Sequence, residues 1–401
     1  MEEGNSTIKD TELFTAQQIK RPSVIKKIRH APDYILIISV LMLTALGILM
    51  VYSSSYYTNA IRARSTNSLF LRQLISAVLG SAVAFFILSL DYHVICRFST
   101  VGVLAAGVLL LCVFVPGLGM SEHGSSRWLN VFGTSVQPSE IMKFALIVFL
   151  AKDIGSDPKR LEKLRGGYLR YVIIVGTICI PIFFMPNFSA IVCILFLTAS
   201  VLFTAGAKAK HLIITGLIGL GALTVLLVFA PYRVGRILAM MDPFNTSISS
   251  TYQLRQSLYS ISYGGFFGQG LGNSMQKMLY LPFSESDFIF AIIVEELGFA
   301  GALFVLLLYG VLIYRGIKIA YFAPDLTGSL LAAGATSIIT IQVIVNICVC
   351  TGCFPTTGVI LPFISYGGSA LTIFMAMIGL MLSVSRYTVR PVKIKSGKTE
   401  S

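Results

Sequence analysis

Charge is scarce in this chain of 401 residues: only 12% of it is Asp, Glu, Lys or Arg. Acidic groups are the scarcer kind, 18 against 31 basic, which leaves a formal net charge of +13. A soluble domain could not clothe itself with so few charges when 55% of the residues are hydrophobic and the mean hydropathy is +0.80. The expected fold class is therefore an all-α polytopic membrane protein, since helices satisfy their own backbone groups in lipid. Cysteines are few as well, seven, all in or beside apolar runs, and they spell no disulfide framework. Cys348, Cys350 and Cys353 lie close together without a His or carboxylate beside them, so they read as small apolar packing residues rather than metal ligands. No dinucleotide fingerprint is present either, because "GGFFGQGLGNS" (Gly264 to Ser274) has the wrong glycine spacing and no strand before it. Nor does a cleavable leader show: polar residues fill positions 1–32, and the first apolar run is long enough to stay as an anchor.

What is abundant is apolar sequence in runs that approach or reach the ~20 residues needed to cross a hydrocarbon core. They lie near 33–54, 71–90, 99–118, 139–153, 169–185, 188–206, 211–231, 287–310, 326–351 and 364–385, which predicts about ten helices. Lys and Arg collect in the tail at Lys20, Arg21, Lys26, Lys27 and Arg29, in the loop at 155–170, and in the other tail at Arg386, Arg390, Lys393, Lys395 and Lys398. With ten helices these regions share one side, so both termini are expected in the cytoplasm. The expected division is a cytoplasmic tail at 1–32, a membrane domain at 33–388 and a cytoplasmic tail at 389–401. The positive charge then reads as a topological signal with attraction to anionic lipid, and nucleic acid is not expected as a partner.

The unusual material falls on the outer side, at roughly 119–138, 232–286 and 352–363. The segment 232–286 is too long for a plain connection and too apolar to be disordered, so it is expected to be structured. Within it "STYQLRQSLYSI" has helical spacing suited to lying along the membrane face. The glycines of "GGFFGQGLGNS" fit either tight turns whose N–H groups face an anion or a flexible loop. Basic residues on this side are informative because the topological bias opposes them: Arg62, Arg64, Arg72, Arg127, Lys143, Arg233, Arg236, Arg255 and Lys277. Arg62, Arg64 and Arg72 read as headgroup contacts. Arg127 stands beside the single tryptophan, Trp128, and Lys143 follows "QPSE" (Gln137, Pro138, Ser139, Glu140) by one helical turn. Such a cluster suits a phosphate or diphosphate at the outer leaflet.

Three carboxylates in "YLPFSESDFIFAIIVEELGFAG" then need a purpose. Asp287 follows Ser286 at the expected water boundary, whereas Glu295 and Glu296 would lie about 12–14 Å deeper on a continuous helix. At such depth ionised groups pair or line a watery cavity, and by depth Lys143 is their expected partner. Asp287 reads either as a chemical group or as a helix N-terminal acid. Gln342 and Asn346, four apart, share a helix face and are expected to glue helices together. "ISYGGSA" brings hydroxyls and small residues, Ser365, Tyr366 and Ser369, to the outer end of the last helix, where a sugar could approach.

The stretches "GSSRWLNVFGTSVQPSEIMKFALI", "YQLRQSLYSISYGGFFGQGLGNSMQKMLYLP", "SDFIFAIIVEELGFAG" and "TGCFPTTGVILPFISYGGSA", in this order, resemble the SEDS family (shape, elongation, division and sporulation) over roughly 33–388. "GQGLGNSMQK" and "EELG" are more similar to its FtsW-like division branch, with its sporulation relatives, than to the RodA-like elongation branch. The resemblance implies a ten-helix peptidoglycan glycosyltransferase that polymerises lipid II on the outer face of the cytoplasmic membrane, at the division septum. It implies Asp287 as general base and Arg127, Lys143, Arg255 and Lys277 as groups for the leaving diphosphate. Substrate contacts are further expected from Trp128, Gln137, Ser139, Glu140, Gln253, Gln256, Ser286, Glu295, Glu296, Ser365, Tyr366 and Ser369. It also implies a class B penicillin-binding protein and other divisome proteins as partners. No cofactor is evident, and a divalent metal at the diphosphate stays open.

The chain departs from the family pattern in two places. "PNFSA" stands where Pro-Asp-x-Gly-Thr is common, so that Asn187 replaces an acid, and "PFSESDF" stands for "PEAHTDF", with Phe283 and Glu285 in place of Glu and His. A lipid-linked precursor transporter using the same cavity is the rival reading, and a scaffold that only activates a partner is a third. A transporter needs polar groups toward both faces, whereas these concentrate on one.

Overall fold

The computed structural model describes residues 30–61, 68–122, 125–131, 134–185, 187–228, 231–245 and 251–388. The expectations resting on the basic N-terminal tail, Arg62, Arg64, Pro186 and the tail after 388 lie outside the described residues, as does the Arg233 side chain.

Each apolar run read from the sequence coincides with a helix, because runs of this length leave no other way to satisfy backbone polar groups in lipid. In chain order these are α1 (Tyr34–Ile61), α2 (Ser68–Ser89), the short linking helix α3 (Tyr92–Arg97), α4 (Ser99–Cys112), α5 (Pro138–Ser156), α6 (Leu169–Phe184), α7 (Phe188–Thr204) and α8 (Ala209–Val228). Beyond the long outer segment follow α11 (Ile289–Tyr321), α12 (Leu326–Cys350) and α13 (Gly368–Ser385). Among the described residues, six helices are by themselves long and apolar enough to cross a membrane. The seven cysteines are free thiols.

α12 lies at the centre, with α5, α7, α11 and α13 against it. Small residues let these helices approach, as expected where packing rather than water drives association. A Cβ on Gly334 of α12 would stand 3.1 Å from both Ile147 of α5 and Val201 of α7. Likewise α2 and α13 meet where a Cβ on Gly379 would lie 2.6 Å from the Ala84 carbonyl oxygen.

The outer segments add structure to this frame. Residues 119–136, which carry no hydropathy signal, form a small antiparallel sheet β1-β2-β3 from β1 (Gly119–Glu122), β2 (Ser125–Val131) and β3 (Thr134–Val136). Leu129 in the middle strand pairs with Gly119 on one side and Val136 on the other. The long segment holds α9 (Pro231–Met241) and, where "STYQLRQSLYSI" predicted it, the amphipathic helix α10 (Thr251–Gly264). α10 buries Leu254, Ser257, Ser260 and Gly264 at helical spacing. Ser257 Oγ donates to the Cys350 carbonyl at 2.8 Å and Ser260 Oγ to the Ala291 carbonyl at 3.1 Å.

α11 is broken where the sequence predicted continuity. Gly298 takes φ 71° and ψ −169°, a conformation essentially reserved for glycine. The backbone groups released there pair with the glycine-rich loop. The N–H groups of Gln269 and Gly270 donate to the carbonyls of Glu295 and Glu296 at 2.9 and 3.0 Å, and those of Phe299 and Ala300 donate to Gly265 and Phe266 at 3.0 and 3.1 Å. The tight turns expected of "GGFFGQGLGNS" are present, with positive φ at Gly265, Gly268, Gly270 and Gly272, but Gln269 and Gly270 point their amides at a broken helix and not at an anion. The approach is close enough that a Cβ on Gly298 would lie 2.3 Å from the Gly268 nitrogen. Gly298→Ala is accordingly expected to cost at least about 3 kcal/mol from strain and overlap together. In detergent it should lower the apparent Tm by several degrees, while Gly310→Ala, where a Cβ meets nothing within 4 Å, should be neutral or slightly stabilising. Equal melting of the two variants would contradict this account of the break.

Candidate active site

Asp287 is placed by its backbone. α11 begins at Ile289 rather than at 287 as expected, and its N-cap is Phe288, so Asp287 is not a capping acid. It sits in a tight turn in which Phe283, at φ +59°, offers its carbonyl to the N–H groups of Ser286 and Phe288 at 3.1 and 3.3 Å. Three tethers hold that turn to α12 and to the segment following it. The Tyr366 N–H donates to the Glu285 carbonyl at 2.9 Å, the Ser365 hydroxyl to the Ser286 carbonyl at 2.6 Å, and the Asn346 amide to the Asp287 carbonyl at 2.8 Å. Asn346 also donates to the Val359 carbonyl at 2.7 Å, so one buried amide fixes both the acid and the loop that faces it.

The side chain of Asp287 lies under Gly358, whose φ of +64° and missing Cβ leave room. A Cβ there would stand 3.3 Å from Asp287 Oδ2 and 3.9 Å from Arg127 Nη1. Arg127 and Asp287, predicted from separate segments, therefore meet on one face. Arg236 of α9 joins them, donating Nη1 to the Thr356 carbonyl at 2.5 Å. Burial is the largest influence on the Asp287 carboxyl and pushes its pKa up to about 6; the Arg127 and Arg236 charges pull it down, and Glu285 pushes it up. A carboxyl whose pKa burial raises to about 6, beside two guanidiniums, is suited to accept a proton next to a departing anion.

Gly358 also lines a small, partly open cleft with Gln137, Glu140, Lys143, Asn187 and Gln342. Here the expected partner of Lys143 is corrected. Its Nζ donates to Glu140 at 2.5 Å, one turn away on α5, and not to Glu295 or Glu296, because i,i+3 spacing delivers a carboxylate at no cost in reach. Asn187 caps α7, accepting the Ala190 N–H at 3.3 Å and donating to Ser139 Oγ at 3.3 Å, so the amide keeps a capping role where the family commonly has an acid. Ser369 accepts the Gln137 N–H at 3.3 Å.

The remaining expected contacts are placed elsewhere. Glu296, Lys277 and Glu295 are fully or nearly fully buried. Glu296 accepts from Lys277 Nζ at 2.7 Å, and Glu295 accepts from Ser260 and Ser274 hydroxyls at 2.6 and 2.7 Å and from the Met275 N–H at 2.8 Å. These are structural bonds within the chain, not an exposed diphosphate cradle. Arg255 lies over the Tyr252 ring at 5.9 Å, with Gln253 and Gln256 half-buried beside it on α10. Trp128 pairs with Met120 across the sheet. In the sequence Arg236 is one outward cation among several, and nothing in the local pattern marks Gly358. Among the described residues no three His, Cys, Asp or Glu side chains gather as metal ligands.

The geometry can be set beside known proteins. The family model FTSW_RODA_SPOVE, described as "Cell cycle protein", matches residues 33–390. Stage V sporulation protein E of Bacillus subtilis is 42% identical over 360 residues, covering 90% of this chain and 98% of that one. Probable peptidoglycan glycosyltransferase FtsW of Trichlorobacter lovleyi is 36% identical, covering 88% and 93%. Among solved structures, a chain from a peptidoglycan synthase complex that coordinates polymerization and crosslinking superposes with a TM-score of 0.71 at 28% identity, covering 89% of this chain and 98% of that one. Rod shape determining protein RodA of Thermus thermophilus does so with a TM-score of 0.64 at 27% identity, covering 90% and 99%.

Proposed function

Because the chain belongs to the FtsW, RodA and SpoVE family of cell cycle proteins, we propose that it is a peptidoglycan glycosyltransferase acting on lipid II from the outer face of the cytoplasmic membrane. The observation that carries the chemistry is the meeting of Asp287 with Arg127 under Gly358, beside Arg236. Asp287 takes the proton of the acceptor sugar hydroxyl as that oxygen attacks the donor's anomeric carbon. The new glycosidic bond forms, the bond to the diphosphate breaks with inversion, and undecaprenyl diphosphate leaves with the electron pair. Arg127 and Arg236, fixed in a partly dry site, lower the energy of that departing charge. A divalent cation, if bound, would share the charge of the diphosphate with these guanidiniums.

The chain is a multi-pass membrane protein. Both termini are assigned to the cytoplasm from the Lys and Arg distribution, and the site of action to a septum, because the relatives named above are FtsW and Stage V sporulation protein E. A crosslinking partner, a class B penicillin-binding protein, follows from the likeness to a chain of a synthase complex, and other divisome proteins from the same assignment.

The test is glycan-strand formation from labelled lipid II by the purified protein, with and without its crosslinking partner. Polymer is expected, at a rate that rises through pH about 6, because below it the Asp287 carboxyl keeps its proton and cannot accept another. Absence of polymer, together with movement of lipid II across vesicle membranes, would instead establish a transporter.

A further inference from the structure

The polar groups of the cleft are not equally engaged. Asn346, one turn above Gln342 on α12, spends its amide on the Asp287 and Val359 carbonyls. Gln342 does not repeat this. It is 1% exposed and lines the cleft, yet among the described residues neither its Oε1 nor its Nε2 has a hydrogen-bond partner. The expectation that both residues glue helices is met by neither: Asn346 ties α12 to the turn before α11 and to the loop at Val359, and Gln342 bonds to nothing among the described residues. A buried carboxamide left without partners costs about 1–3 kcal/mol per group unless a bound molecule, water or ligand, completes it.

The surroundings define what that ligand group must be. Beside its charged and polar residues, Glu140, Lys143 and Ser189 among them, the cleft presents an apolar wall of Ala190, Cys193, Val359 and Ile360 next to a carboxamide that offers one acceptor and two donors. A hydroxyl would satisfy part of the amide and waste the apolar wall. An acetamido group matches both, since its N–H and C=O complement Oε1 and Nε2 and its methyl fits the wall. Gly358 lines this cleft and lies against Asp287, so a group bound in the cleft would be a neighbour of that carboxylate.

We infer that Gln342 is the specificity-determining contact for the 2-acetamido group of the donor sugar, the one that carries the diphosphate. This rests on the glycosyltransferase reading above. In that sugar the acetamido-bearing carbon adjoins the anomeric carbon, which sets the spacing between the Gln342 cleft and Asp287. Binding there orients the ring and rejects sugars with a hydroxyl at this position, because such a sugar leaves the buried amide unpaired.

The experiment compares wild type, Gln342→Leu and Gln342→Met on two substrates: lipid II, and lipid II with a hydroxyl in place of the acetamido group on the diphosphate-bearing sugar. Wild type should prefer the natural substrate by about 10- to 100-fold in kcat/KM. Both variants should lose most of that preference, through slower turnover of the natural substrate. Their apparent Tm should equal or exceed that of wild type, because the substitutions remove unpaired buried polar atoms. A variant that slows both substrates by one factor, or keeps the wild-type preference, overturns the assignment while leaving the enzyme reading intact. A wild type that polymerises neither substrate overturns the enzyme reading itself.

Discussion

Asp287→Asn should reduce glycan polymerisation by roughly 10²- to 10⁴-fold, the range removed with a general base, without unfolding the protein. The separation of these effects follows from how the residue is held. Its position depends on its backbone carbonyl, which receives the Asn346 amide, and on the tethers to Glu285 and Ser286. None of these uses the carboxylate. Burial already disfavours the charged form, as the rise to about 6 records, so a neutral amide of the same shape relieves an electrostatic cost. An apparent Tm at or slightly above that of wild type is therefore expected alongside the lost activity. Strand length from labelled lipid II, resolved on gels, is the measurement. A variant that polymerises like wild type would make Asp287 a structural residue and remove the base from the mechanism.

Breaking the Lys277 and Glu296 pair should do the opposite, harming the fold before the chemistry. Glu296 accepts from Lys277 Nζ at 2.7 Å, and the Ser53 hydroxyl of α1 donates to both its oxygens at 2.7 and 2.9 Å. Three parts of the chain thus converge on one charge: α1, the upper part of α11 and the outer loop. Removing one member leaves the other charged, buried and unpaired, a cost of about 3–5 kcal/mol. Glu296→Gln and Lys277→Met should each lower folded yield and apparent Tm, and the double variant should recover much of the loss. If Lys277 instead served the diphosphate, Lys277→Met would keep its stability and lose turnover, and the double variant would recover nothing.

The parts of the molecule that were legible from sequence are those governed by one-dimensional pattern. Hydropathy placed the helices, and the spacing of Leu254, Ser257 and Ser260 suffices for α10. Pairing across the fold was not legible. Lys143 and Glu296 suit each other by depth alone, yet Glu140 stands nearer to the one and Lys277 to the other. The sheet at 119–136 escaped because its strands are short and polar, and its order is set by partners that hydropathy does not see. Asn346 and Gln342 look equivalent on a helical wheel, and only the loop over α12 distinguishes the amide that is used from the one that is open. Asp287 and Arg127 stood out early because an acid and a cation in such surroundings are costly wherever they are placed.

The break at Gly298 changes which solvent the two glutamates belong to. Residues 299–321, at 1.5 Å each, extend about 34 Å and could cross a hydrocarbon layer of about 30 Å unaided. The turns of α11 above the break are then surplus to spanning: they form a plug packed against α10 and the glycine loop. Glu295 and Glu296 accordingly answer to the polarity of folded polypeptide around them and not to lipid thickness. A thinner or thicker bilayer should tilt the lower rod and leave the plug, with the reaction site it supports, unchanged.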